Sequence, residues 1–231
     1  MTNTLHRHTT KERLKKDYIV FAIPSRGYND AGSVPKLQDF LRRAVHYGPV
    51  NLGDAAHGAL LRPSKGLTPL AHWVRSEPLR HREVIAGVDT PTTAAAVFDN
   101  EAAAVDFMRA LRQADLGLSI NLSAPVEEAH RCCRKAGIVR HSVEYSLRAM
   151  GKTDLLPEGR VLELATMCGH GMISFDFTRK MLDWVREGRR NPKQASEYLA
   201  RFCTCGIFNP ARAVEILEEA RASPHPTHSN A

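Results

Sequence analysis

Apolar positions recur along this chain with two different periods. Tyr18 to Ile23 is an unbroken apolar, β-rich run closed by Pro24, which predicts a buried strand. A turn-rich loop over 25–33 follows, and then apolar residues at 34, 37, 40, 41, 44 and 45 predict a helix ended by Gly48 and Pro49. Residues 49–82 are crowded with Gly and Pro and predict loops and short helices, one over Leu70 to Val74.

The pattern becomes regular from residue 83. Strands are expected over Val84 to Val88, Ala94 to Phe98, Leu116 to Leu122 and Ile138 to Leu147. Between them lie a helix from Glu101 to Gln113 with Asn100 as its cap, and one from Pro125 to Lys135 stopped by Gly137. Val161 to Met167 reads as a strand or a short helix. Amphipathic helices are then expected over 172–187, 192–202 and 210–221, the last capped by Asn209 with Pro210 in its first turn.

This order predicts an α/β fold, a mixed sheet covered by helices, with right-handed crossovers wherever neighbouring strands are parallel. A helical C-terminal part carries the cysteines. Residues 1–16 read as a polar arm and 17–222 as one unit, with a sub-boundary near 80–92 and its helical part over 168–222. The tail 223–231 reads as disordered.

Hydrophobic residues make up 43% of the 231 and charged residues 25%, so disordered and collagen-like classes are excluded. No apolar run approaches the roughly 18–20 residues of a membrane helix. The start has no apolar stretch behind its basic residues, so a secretory signal is not expected and a cytoplasmic protein is. Thirty-two Lys and Arg face 25 Asp and Glu, a net +7. That balance invites a nucleic-acid partner, but the basic residues are dispersed and aromatics are only 6%, which leaves no stacking platform. Solvated basic faces account for most of that balance, and an anionic small molecule is the next expectation.

Five cysteines change the picture. An odd number without a signal argues against a disulfide framework. Cys168 lies in Thr166-Met-Cys-Gly-His-Gly-Met172, and Cys203 and Cys205 lie in Phe202-Cys-Thr-Cys-Gly-Ile-Phe-Asn-Pro210. Both segments put Gly directly after a cysteine, just ahead of a helix. Glycine allows close backbone approach, and a helix N-terminus favours thiolates. Cys132 and Cys133 lie inside a helix and read as core side chains.

Three thiolates admit three readings. One is a 4Fe–4S cluster with one iron open to substrate. The second is a zinc ion held by the three cysteines and His170. The third is a redox pair at Cys203 and Cys205.

The segments TMCGHGM and FCTCGIFNPARA, with the upstream DLGLSINLS and GKTDLLP, resemble bacterial and archaeal proteins with three-cysteine sites. In role the arrangement is similar to the non-redox 4Fe–4S desulfidases, thiouracil desulfidase among them, and to the thiohydantoin desulfhydrases of bacterial ergothioneine breakdown. The matching stretches cover about residues 84–222, and the 49–58 segment belongs with them. The chain is longer than the thiouracil desulfidases and its cysteine spacing is its own. The resemblance implies an enzyme that releases sulfide from a thiocarbonyl such as a 2-thioxoimidazolidinone propionate.

It implies Cys168, Cys203 and Cys205 as cluster ligands. His170, Lys152 and His57 are candidate catalytic groups, His57 paired with Asp54. Ser25, Arg26, Asn121, Ser123, Lys152 and Thr153, at expected strand ends, are candidate substrate contacts. Gly151-Lys152-Thr153 is not a phosphate-binding loop, because Ser146 stands where its first Gly belongs. His72 and His81 read as surface residues. A 4Fe–4S hydro-lyase, and a zinc or iron–sulfur sensor without turnover, stay open as alternatives, as does a homodimer.

Overall fold

A computed structural model of the chain describes residues 7–61, 78–146, 149–203 and 205–223. The expected helix over Leu70 to Val74, His72 and the tail from 224 lie outside the described residues.

Five strands form one sheet in the order β3-β2-β4-β1-β5: β1 Tyr18–Ile23, β2 Asn51–Asp54, β3 Gly58–Ala59, β4 Ala94–Phe98 and β5 Ser119–Ser123. The sheet is covered by helices, as expected. Every pairing is antiparallel, so no parallel crossover is needed. The apolar runs of β1 and β4 are explained by their place: they lie centrally and bury both faces.

Cross-strand partners share a face. Tyr18, Val20, Ala22, Leu52, Ala96 and Phe98 point to one core. There they meet α2 (Ser33–Val45), α3 (His81–Ala86), α4 (Glu101–Ala114) and α5 (Val126–Ala136). Leu37, Phe40, Leu41 and Ala44 give α2 its buried stripe, and the Phe107 ring of α4 lies 5.1 Å from Phe40 and 5.4 Å from Phe98.

Ile19, Phe21, Ala95 and Val97 point to the second core, shared with α6 (Gly159–Ala165), α7 (Phe175–Arg186), α8 (Pro192–Ala200) and α9 (Pro210–Ala222). A short α1 (Lys11–Leu14) precedes β1. The two expected caps, Asn100 and Asn209, each accept an N–H in the first turn of their helix, and Ser174 and Asn191 do the same for α7 and α8.

Three expectations are corrected. Val84 to Val88 is not a strand: its first residues lie in α3, which starts where Glu83 Oε2 accepts the Arg80 N–H at 2.7 Å. Residues 138–146 form no strand either. Val139 and Tyr145 are exposed and no layer covers them, so nothing rewards an extended pairing. Within 49–82, β2 and β3 replace the loops expected over 51–59. Asn, Gly and Asp are poor strand formers, but tertiary contacts override that preference. A Cβ on Gly53 would lie 2.3 Å from Gly58 O, so only glycine lets β3 approach this closely.

Glu101 joins α4 to α5. It accepts from Arg131 at 3.1 and 2.7 Å and from Lys135 at 2.7 Å. Those hydrogen bonds hold its carboxyl down at about 2, against an ordinary 4.5. A depressed carboxylate stabilises the fold above its unfolded value and loses that contribution as pH falls. Glu101→Gln is therefore expected to lower the urea midpoint at neutral pH by less than ~1 kcal/mol equivalent. It should also flatten the fall in midpoint between pH 4.5 and about 2. An unchanged slope over that window would dismiss the pairing as inconsequential.

Candidate cysteine site

Cys168, Cys203 and Cys205 all lie in the second core, each at most 2% exposed. Two loops bring them there. Cys168 ends a 3-10 turn, Thr166–Cys168, that continues α6. Gly169 and Gly171 then take φ of 72° and 67°, the left-handed region, and wrap the backbone around the sulfur. The Met172 N–H donates to Cys168 Sγ at 3.2 Å, and the amides of His170 and Ile173 also act on it.

The second loop leaves α8 and carries Cys203 and Cys205. The Phe208 N–H donates to Cys203 Sγ at 3.3 Å, joined by the amides of Cys205 and Ile207. Both loops precede helices, as the sequence suggests, but the donors are turn amides and not helix N-termini. α7 begins at Phe175 and α9 at Pro210, beyond the amides that reach the sulfurs.

The second loop is locked onto the sheet. Gly206 has a φ of 76°, and a Cβ there would come 2.9 Å from Gly53 N. Asn51 of β2 donates through Nδ2 to Phe208 O at 2.9 Å. The odd composition of β2 thus serves the cysteine loop.

The thiols sense one another. The Cys205 thiol donates to Cys203, which holds Cys203 below the ordinary thiol value even though burial opposes it; the amides of Cys205, Phe208 and Ile207 add to the effect. The same hydrogen bond and burial push Cys205 up. Burial also pushes up Cys168, opposed by the amides of Met172, His170 and Ile173. His170 Nδ1 lies 3.6 Å from Cys205 Sγ. Among the described residues, no three His, Cys, Asp or Glu side chains are already spaced to hold a metal ion.

Beside the trio lies a buried ionic knot that the sequence reading missed. Asp17, fully buried, accepts from Arg212 at 2.6 Å, from Asn209 at 3.2 Å and from Arg7. Arg212 also reaches Glu163 at 2.6 Å. Arg7 is near enough to Cys203 to feel its charge. One signal was available: Arg212 stands on the same helical stripe as Ala213, Ile216, Leu217 and Ala220, where a core-facing cation demands a buried partner.

The other candidates scatter. Asn121 and Ser123, on β5, face the second core side of the sheet and line a cavity of about 640 Å³ with Arg7, Lys11, Phe21 and Arg140. Ser25 and Arg26 are exposed on the loop after β1, and Lys152 and Thr153 are exposed beside the 3-10 turn Thr153–Leu155. None of these four lines that cavity. His57 sits in the β2–β3 turn with Nδ1 2.9 Å from Asp54 and Nε2 2.7 Å from Asp89. Both of its nitrogens are engaged, which suits a clip for the turn. Cys132 and Cys133 lie in the first core, away from the trio, as expected of core residues, and burial pushes Cys132 up to about 11.

Comparison with family models, with curated proteins and with solved structures finds no match. No helix among the described residues is long and apolar enough to cross a membrane.

Gly206→Ala is expected to strain the left-handed turn and press on Gly53, costing about 1–3 kcal/mol. Denaturation should show that loss, and Cys203 and Cys205 should react faster with a thiol reagent in the native state. A variant as stable and as slow to react as the parent would show that the loop is not locked.

Proposed function

We propose that this chain is a cytoplasmic enzyme that removes sulfur from the thiocarbonyl of a small anionic heterocycle. Cys168, Cys203 and Cys205 would hold a 4Fe–4S cluster for that reaction. The observation that carries the reading is the set of peptide N–H groups aimed at sulfurs that are otherwise fully desolvated. Burial alone disfavours a thiolate, whereas N–H donors favour it, and a thiolate is what a metal binds. The donor chemistry fits: three soft sulfurs and no carboxylate among them suit iron–sulfur chemistry better than a hard cation.

When bound, the cluster supplies an iron with an open position, a Lewis acid with affinity for sulfur. The protein's own residues do the rest. The two loops fix the sulfurs and exclude water from them. His170 Nδ1, 3.6 Å from Cys205 Sγ, is placed to accept the proton that thiol must lose on ligation. The overall reaction adds water across the thiocarbonyl carbon and expels hydrogen sulfide, leaving a carbonyl, with no change in oxidation state.

Anaerobic reconstitution with ferrous iron and sulfide should load about four irons per chain, and the loaded protein should release sulfide from thiohydantoin propionate. Cys168→Ala, Cys203→Ala and Cys205→Ala should each lose the iron, whereas Cys132→Ala and Cys133→Ala should keep it. Iron-free protein after reconstitution would end this reading.

The hydrogen bond between Cys203 and Cys205 favours a second reading, a dithiol that cycles through a disulfide. In that case mild oxidation would join those two residues, and Cys168→Ala would leave the chemistry intact.

A further inference from the structure

The sheet ends at β5, and among the described residues no helix or strand covers the side of that strand that faces the second core. Phe21 pairs with Asn121, Ile19 with Ser123 and Ile23 with Ser119, so the polar side chains of β5 continue the face that carries the cysteine trio. A cavity of about 640 Å³ runs along this polar strip and round the sheet edge to Met108, Cys133 and Ile138 of the first core. Its size is that of a small-molecule site. Its far wall is the irregular stretch over 138–146, whose exposed side chains make no layer of their own.

Arg7 forms part of the near wall. Its side chain is only 5% exposed, and one of its nitrogens meets Asp17. Asp17 is already shared with Arg212 and Asn209. Arg7 Nε is buried with no hydrogen-bond partner among the described residues. Such a donor is costly to leave unpaired in a folded protein. Two further cations line the same space. Arg140 makes no ion pair among the described residues, and Lys11 has only a 4.0 Å contact with Glu127. Glu127 and Glu144 are the carboxylates of the lining. They leave a modest positive excess, enough for one negative charge and unfavourable for a dianion.

We propose that this cavity binds a small organic carboxylate, with the buried guanidinium of Arg7 as its anchor, Lys11 and Arg140 at its rim, and Asn121 and Ser123 as polar contacts along β5. A guanidinium presents its N–H groups in a plane that matches a carboxylate. The link to catalysis rests on the proposed function: the carboxylate is the handle of an anionic substrate, and although the trio does not line the cavity, Arg7 and Phe21 border both regions. The binding site itself does not depend on it.

The test uses the full chain as purified, without iron, so that failure of the cluster reading leaves it intact. Three monoanions, glutaramate, hexanoate and phenylpropionate, are titrated by calorimetry at about pH 8, with glutaramide and inorganic phosphate as the uncharged and dianionic comparisons. At least one carboxylate should bind, with glutaramide and phosphate about tenfold weaker or worse. Arg140→Ala and Lys11→Ala, at sites without buried partners, should each weaken binding several-fold without lowering the melting temperature. Arg7→Lys keeps a charge beside Asp17 but loses the planar fork, and should weaken it about tenfold.

Arg160 lines a second, smaller cavity that Arg7 also borders, and Arg160→Ala should change nothing. Several results would overturn the proposal: no carboxylate binding at millimolar concentration, equal binding of glutaramide, or phosphate bound as tightly. So would full affinity in Arg140→Ala and Lys11→Ala, or loss of binding in Arg160→Ala.

Discussion

Asp17 is a carboxylate with no exposure to solvent, at the point where the polar arm becomes β1. An ion in that position is tolerable only if every lone pair finds a donor. The donors come from remote parts of the chain: Arg7 from the arm, Asn209 from the cap of α9 and Arg212 from its first turn. Arg212 hands its second nitrogen to Glu163 on α6. None of these segments can be misplaced without leaving a charge stranded. α6 runs directly into the turn that holds Cys168, and α9 is the element that the Cys203–Cys205 loop enters. A knot that fixes α6 against α9 therefore fixes the two cysteine loops against each other.

Within that frame the loops solve an electrostatic problem. Thiols buried to this degree are driven toward the neutral form, and Cys168 is. The counterweight at Cys168 is backbone, and at Cys203 backbone adds to the Cys205 thiol: left-handed glycines at 169, 171 and 206 turn peptide N–H groups inward. Amides carry no net charge and need no counter-ion, so they favour a thiolate without adding an ion to the core. The sheet takes part as well. Gly53 and Asn51 make room for and hold the Gly206–Phe208 segment, which is why a strand of poor strand formers is buried throughout.

What could be read in the sequence and what could not follow from the range of the forces involved. Caps act within a turn, so Asn100 and Asn209 marked their helices correctly. The double-sided burial of β1 and β4 shows in their continuous apolar runs. The cysteine segments were recognisable because glycine after cysteine is a local signal, and the three thiols do gather in one core. β2 escaped because its partners, Gly58 and Phe208, are distant or invisible to propensity. The stretch over 138–146 misled because alternating apolar residues imply a strand only when a layer exists to receive them, and here Val139 and Tyr145 face solvent. Arg7 looked like one more basic residue of a polar arm, and only tertiary structure reveals it as buried. The catalytic and substrate candidates fared unevenly for the same reason: His170, Asn121 and Ser123 are placed by neighbours that the fold brings close, whereas Ser25, Arg26, Lys152 and Thr153 remain at the surface.

The two faces of the sheet offer an internal control on what makes a cysteine more than a core residue. Cys132 and Cys133 are about as buried as the trio, and burial pushes both upward. They lie within α5, where backbone N–H groups are committed to the helix and cannot turn toward sulfur. Cys168 and Cys203 lie where the helix has ended and amides are free to point inward. Similar burial thus leaves the thiols in different surroundings: those of α5 meet only committed helix amides, whereas Cys168 and Cys203 receive N–H donors that oppose the effect of burial. A cysteine followed by glycine at the end of a helix is the sequence form of that condition. It marks Cys168 and Cys205 directly, and Cys203 through the thiol it shares a hydrogen bond with.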